Sequence, residues 1–152
     1  MSRLGARGEE GQVGGIEALV FGLLVLVLGT LVVANAWGVI DAKVAAAGAA
    51  RQAARAFVQA PAGTDPATAA REAATSAIEA QGRDRSRMSL AVSGELRRCS
   101  RVEAEVRYRV PVIVVPVLGG FGDGLTTASR HSELVDPYRT GLPRGVSCAS
   151  AG

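Results

Sequence analysis

The chain has one histidine, His131, and one lysine, Lys43. A histidine-based metal site would have a single ligand to draw on. Ser129, Ser132 and Glu133 stand near His131, but sequence neighbours do not make a catalytic triad. A plain strand or surface histidine is the expectation. There are two cysteines, Cys99 and Cys148, with no C-x-x-C pair or Cys/His cluster around them, which argues against zinc. Aromatic residues make up only 4% of the chain. Beyond the first forty or so residues the apolar side chains are mostly alanine and valine, so a soluble domain built from them has a thin core. It draws support from the first helix, a disulfide or partner subunits. The net charge is +3, yet no dense basic block exists; the arginines alternate with acids or apolar residues. That pattern is a solvated basic surface rather than a nucleic-acid site. The run Gly119–Gly124 lacks the Lys-Ser/Thr of a phosphate loop and reads as a hairpin connection. No catalytic, cofactor or metal-ligating constellation emerges, so the expectation is a non-enzymatic protein without a cofactor or small-molecule substrate.

What the chain does contain is Ala18–Ile40, ALVFGLLVLVLGTLVVANAWGVI, with no charged residue. As a helix it spans roughly 34 Å, enough for the ~30 Å hydrocarbon core of a bilayer. About a dozen large apolar residues give a gross insertion gain on the order of 5 kcal/mol. A buried helix of a soluble protein is the alternative, but the remaining chain is too small and polar to wrap it. A signal peptide is another: Ala34-Asn35-Ala36 fits the small-x-small cleavage pattern, and cleavage after Ala36 would release a secreted binding protein. The run is longer than the usual 7–15-residue signal core. Gly15, Gly22, Gly29 and Ala36 recur every seven residues, with Ala18 and Gly22 as a small-xxx-small pair. Together they form a stripe on which helices can pack closely in lipid. Glu17 sits at the mouth of the apolar run. It either snorkels to the interface or pairs with a charge on a neighbouring subunit and so sets helix register.

The organisation then follows in order. Residues 1–12 read as a short cytoplasmic tail, 13–40 as the transmembrane helix, 41–60 as its continuation outside the membrane, and 61–152 as a small extracytoplasmic α+β domain. Basic residues nearly balance across the run, so orientation rests on the larger C-terminal part and on its cysteines, which suit an oxidising side. There a Cys99–Cys148 disulfide closing about 50 residues would contribute roughly 4 kcal/mol; two free thiols are the alternative. In the continuation, Ile40, Val44, Ala47, Ala54 and Phe57 or Val58 are expected on the packed face, with Arg51, Gln52, Arg55 and Gln59 outside. Pro61 ends that helix. Asp65 caps a second helix beginning at Pro66 and running to about Gln81, with Ala70, Ala74, Ala77 and Ile78 as its apolar stripe and Gly82 as its stop. Arg83–Arg87 is a basic turn. Met88–Ser93, Arg101–Val110 and Thr126–Asp136 read as strands of a half-exposed antiparallel sheet; Val112–Val115 is an edge or irregular continuation. Residues 137–152 read as a loose tail, pinned at Cys148 where that residue is bonded.

Several stretches carry a family resemblance. These are the short leader ending in Gly11, the Gly14-Gly15-Ile16-Glu17 opening, the Ala49–Ala56 segment, Val106–Pro111 and Ala128–Arg139. In this order the chain resembles the TadE/TadF-like pilus-assembly proteins (pseudopilins) of the tight-adherence, or Flp pilus, system, of the actinobacterial type. The resemblance implies a pilin-like, single-pass envelope protein with a cytoplasmic N-terminus. Its partners would be the membrane, other pilin or pilus-assembly subunits and a prepilin peptidase cutting after Gly11. The spacing departs by one: cleavage there places Glu17 sixth rather than fifth, and Gln12 stands where the family favours glycine. The rival within the same architecture is a DNA-binding minor pilin using Arg83, Arg85, Arg87, Arg97, Arg98 and Arg101.

Overall fold

In a computed structural model, residues 10–111 and 124–142 are described. The order of elements is the expected α+β one: a long helix α1 (Glu10–Gln59), a short helix α2 (Pro66–Glu79), and strands β1 (Met88–Ser93), β2 (Arg101–Val110) and β3 (Leu125–Leu134), with a single 3-10 turn at Arg85–Arg87. The chain divides into two compact units, Met1–Trp37 and Gly38–Gly152. The expected strand continuation Val112–Val115, most of the Gly119–Gly124 loop and Cys148 lie outside the described residues.

Within the first unit, α1 begins at Glu10, upstream of the expected start near Val13–Glu17. A helix nucleated by the apolar run propagates through Gly11, Gly14 and Gly15 at about 1 kcal/mol per glycine. The two polar side chains of the run are bonded within the helix: the Thr30 hydroxyl donates to the Leu26 carbonyl at 2.8 Å and Asn35 Nδ2 to the Leu31 carbonyl at 2.9 Å. Each therefore keeps a hydrogen bond without water, which is what an apolar surrounding demands.

The second unit is built on alanine. Along the last turns of α1, Ala42, Ala45, Ala46, Ala49, Ala50, Ala53 and Ala54 are fully buried, with Phe57 nearly so. They meet Ala70, Ala74 and Ile78 of α2, and Val102, Ala104, Val106, Tyr108 and Val110 of β2. This corrects the expected packed face. Ile40 and Val44 are 57% and 62% exposed and share the outer side with Arg51 and Arg55. The reason is distance of approach: alanine carries only a Cβ, so a helix face lined with it sits close to a sheet whose valines fill the gap, whereas Ile40 and Val44 would hold it off. Of the residues expected on that face, Ala54 and Phe57 are buried, and Ala47 and Val58 partly so.

Local signals set the remaining boundaries. Asp65 caps α2, its Oδ2 accepting from the Thr68 N–H at 2.8 Å and the Thr68 hydroxyl at 2.7 Å. Gly82, at φ +67°, lets the chain reverse so that the Arg83 N–H reaches the Ile78 carbonyl at 3.2 Å. The sheet is an antiparallel meander of order β1-β2-β3, with Leu90 opposite Val106 and Val106 opposite Ser129. Strict alternation in β2 buries Val102, Ala104, Val106, Tyr108 and Val110 and exposes or half-exposes the charged residues between them. After β1, Gly94 at φ +109° passes so close to β2 that a Cβ would lie 2.6 Å from the Arg101 carbonyl oxygen.

The segment after β3 is held down as far as Leu142, contrary to the loose tail expected from Pro137 onward. The Arg139 guanidinium donates to the carbonyls of Val58 and Ala60, at the C-terminal end of α1, and Arg98 Nη2 donates to the Leu142 carbonyl at 2.9 Å. α1 has no basic residue in its own last turn, so Arg139 supplies from a distance the cation that the helix dipole favours there. Replacing Arg139 by Ala is expected to lower stability by about 1–3 kcal/mol, with partial recovery in Arg139→Lys, as read by thermal melting of the full chain in detergent. The same assay tests the alanine face. Ala50→Leu is expected to cost about 1–3 kcal/mol by overpacking, while Val44→Ala stays within about 0.5 kcal/mol. The reverse ranking would mean that the packed face is misassigned.

Candidate functional site

The most exceptional surface belongs to the first unit. Leu19, Phe21, Leu26, Val32, Val33 and Trp37 are each between 65% and 71% exposed, and none of the most apolar eighteen-residue window of α1 is buried. By length and composition, α1 is the one helix among the described residues able to cross a membrane. Apolar side chains point outward all round rather than on one stripe, so the run does not serve as this chain's own core. The small residues Gly15, Gly22 and Gly29 border open space: a Cβ at each would meet nothing within 4 Å. Ala18 and Ala36 on the same helix are exposed. Glu17 is exposed and makes no ion pair among the described residues. Gly11 falls in the first turn of the helix.

The second unit carries a charged sheet face. Glu105 is its centre: Arg107 Nε lies 2.6 Å from Oε1 and Arg130 Nε 3.0 Å from Oε2, leaving the Glu105 side chain only 15% exposed although it stands on the outer face. The hydrogen bonds from Arg107 and then Arg130 hold its carboxyl below the usual glutamate range. Asp65 is lowered by its bonds to Thr68, and Asp84 by those to Ser86. A second charged contact was not legible in the sequence. Arg83 pairs with Asp41 of α1 and lies over the Tyr108 ring, 5.4 Å from its centre, with its side chain 15% exposed. Arg83 and Asp41 are forty-two residues apart, and no periodicity links them.

The six arginines of the DNA-binding rival do not converge. Arg83, Arg85 and Arg87 precede Met88, which pairs with Tyr108; Arg101 stands at the opposite end of β2, about 23 Å away. Arg83, Arg85, Arg87 and Arg97 face Asp41, Glu79, Asp84 and Glu95, and Arg98 is bonded to backbone. His131 Nε2 lies 3.2 Å from Glu133 Oε1, while the Ser129 hydroxyl reaches the Lys43 carbonyl at 3.5 Å and Ser132 is on the other face of β3. Among the described residues no group of three or more His, Cys, Asp or Glu side chains could hold a metal ion. Cys99 is 5% exposed, with φ +63° and its N–H on the Val135 carbonyl at 3.0 Å.

The lowered carboxyl groups fix a sign for acid stability. Their folded-state values lie below their unfolded ones, so the stabilisation is complete above the unfolded values and disappears as pH falls through the folded ones. The melting temperature is therefore expected to fall below about pH 4.5, and Glu105→Gln is expected to reduce that slope between about pH 4.5 and pH 3. Scans of both chains across that range measure it; identical slopes would remove Glu105 from the acid transition.

In comparisons with known proteins, no family model, no curated protein and no solved structure matches this chain.

Proposed function

We propose that this is a single-pass, pilin-like membrane protein that assists assembly of, or is incorporated into, a tight-adherence pilus or a related secretion apparatus. The observation that carries the reading is the pairing of an apolar helical run with no buried residue in its core window and a following unit that has a small core of its own. An anchor needs the first and a presented domain needs the second. The resemblance in the Gly14–Glu17 opening and in the Ala/Arg continuation supports the pilus setting. In this reading the N-terminus is cytoplasmic and the second unit extracytoplasmic. Gly11 marks the processing site, Glu17 fixes register against a neighbouring subunit, and the Gly15/Gly22/Gly29/Ala36 stripe with Ala18 packs on other pilins. Cys99 and Cys148 form a disulfide on the oxidising side.

One observation favours release instead of anchoring: the second unit begins at Gly38, two residues after Ala36, so signal-peptidase cleavage there would free it whole. Intact mass and N-terminal sequencing of the protein from its own fractionated cells separate the two. A chain beginning at Gln12 in membranes or sheared filaments is the expected result. An uncleaved chain in the membrane keeps the anchor but makes the protein a fixed assembly factor. A chain beginning at Trp37 in the medium would overturn the anchored reading.

A further inference from the structure

The start of β1, the end of β2 and the start of β3 share one end of the sheet: Met88 pairs with Tyr108, Tyr108 with Thr127, and Arg109 with Thr126. This end meets α1 where the second unit begins. Arg83 over Tyr108 is paired with Asp41. Asp41 directly follows Ile40, the last residue of the apolar run. At this end, on the sheet face turned away from the core, a cleft of about 180 Å3 opens, lined by Arg87, Arg107, Arg109, Ser86, Ser89 and Thr126, with Met88 as its apolar lining and no carboxylate. Asp84 and Glu105 approach the Nε atoms of Arg87 and Arg107, at 3.6 and 2.6 Å. Arg109 has no carboxylate partner among the described residues. The cleft at the other end of the sheet is different in charge: Glu133 and Asp136 line it with Arg139.

We propose that the Arg87/Arg107/Arg109 cleft binds the phosphate of an anionic phospholipid headgroup of the membrane that α1 crosses. Three guanidinium groups match phosphate oxygens, and the hydroxyls of Ser89 and Thr126 complete the donor set, that of Ser86 being bonded to Asp84. Nucleic acid is the less fitting polyanion, because the basic groups end at the cleft and do not continue along the sheet to Arg97 and Arg101. The inference rests on the membrane-anchored reading above. Each arginine is expected to contribute about fivefold to headgroup affinity.

The test uses the full chain in nanodiscs of phosphatidylcholine alone or mixed with phosphatidylglycerol, read by hydrogen–deuterium exchange. Residues 86–89 and 107–109 are expected to be protected at least tenfold more in the anionic discs, with 133–136 unchanged. Arg107→Gln with Arg109→Gln should abolish that difference, as should Thr126→Glu, which keeps all three arginines and places a carboxylate in the cleft. Arg97→Gln with Arg101→Gln should leave it intact. Equal exchange in both kinds of disc, with the chain incorporated, overturns the headgroup site and leaves the anchor standing. Failure of the chain to enter either disc overturns both. Protection in neutral discs by added inorganic phosphate or short duplex DNA, without a response to phosphatidylglycerol, overturns the lipid assignment.

Discussion

The close approach of an alanine face to a valine-lined sheet is the contact on which the second unit depends. A helix lined with Ala42, Ala45, Ala46, Ala49, Ala50, Ala53 and Ala54 contributes little apolar area per residue, so its value lies in proximity rather than in bulk. Phe57 apart, the large buried side chains then come from elsewhere: Ile78 from α2, Val102, Val106 and Tyr108 from β2, and Val135 just after β3. This division explains how a domain with few aromatics closes a core. It also ties the sheet to α1, because none of these valines has an adequate partner within a three-stranded sheet alone.

Charge is used where packing is thin. Asp41–Arg83 and the bonds from Arg139 to α1 join elements far apart in sequence, at the beginning and end of the packed stretch of helix. The Arg107–Glu105–Arg130 group lies across the solvent face of the sheet, where two neighbouring strands each supply an arginine to one carboxylate. Exposed pairs of this kind are individually weak in water, and the shared carboxylate makes the group a register marker for β2 and β3 more than a source of stability.

Much of this was legible in the sequence because the signals are local. Alternation in Arg101–Val110 gave the strand and both its faces. The Asp65-Pro66 pair gave the start of α2, Pro61 the end of α1, and the uncharged run its exposed apolar helix. What escaped was tertiary. Ile40 and Val44 looked like core by size, but a helix that packs by proximity turns its small residues inward, and no hydropathy pattern ranks alanine above isoleucine. Arg83 and Arg139 looked like ordinary basic residues of a turn and a tail; their partners lie forty-two and about eighty residues away. The grouping of Arg87, Arg107 and Arg109 depends on strand register, which sequence spacing alone does not supply.

The reach of Arg139 back to Val58 and Ala60 has a consequence for biosynthesis. The apolar run is complete at Ile40, while the residue that closes the far end of the same helix is made about a hundred residues later. During that interval the Val58 and Ala60 carbonyls lack the guanidinium that binds them in the finished fold, which waits for nearly the whole chain to emerge. A chain halted before residue 139 would already contain its apolar run but would lack the clasp on that helix, a defect by which a quality-control protease could tell an unfinished subunit from a finished one.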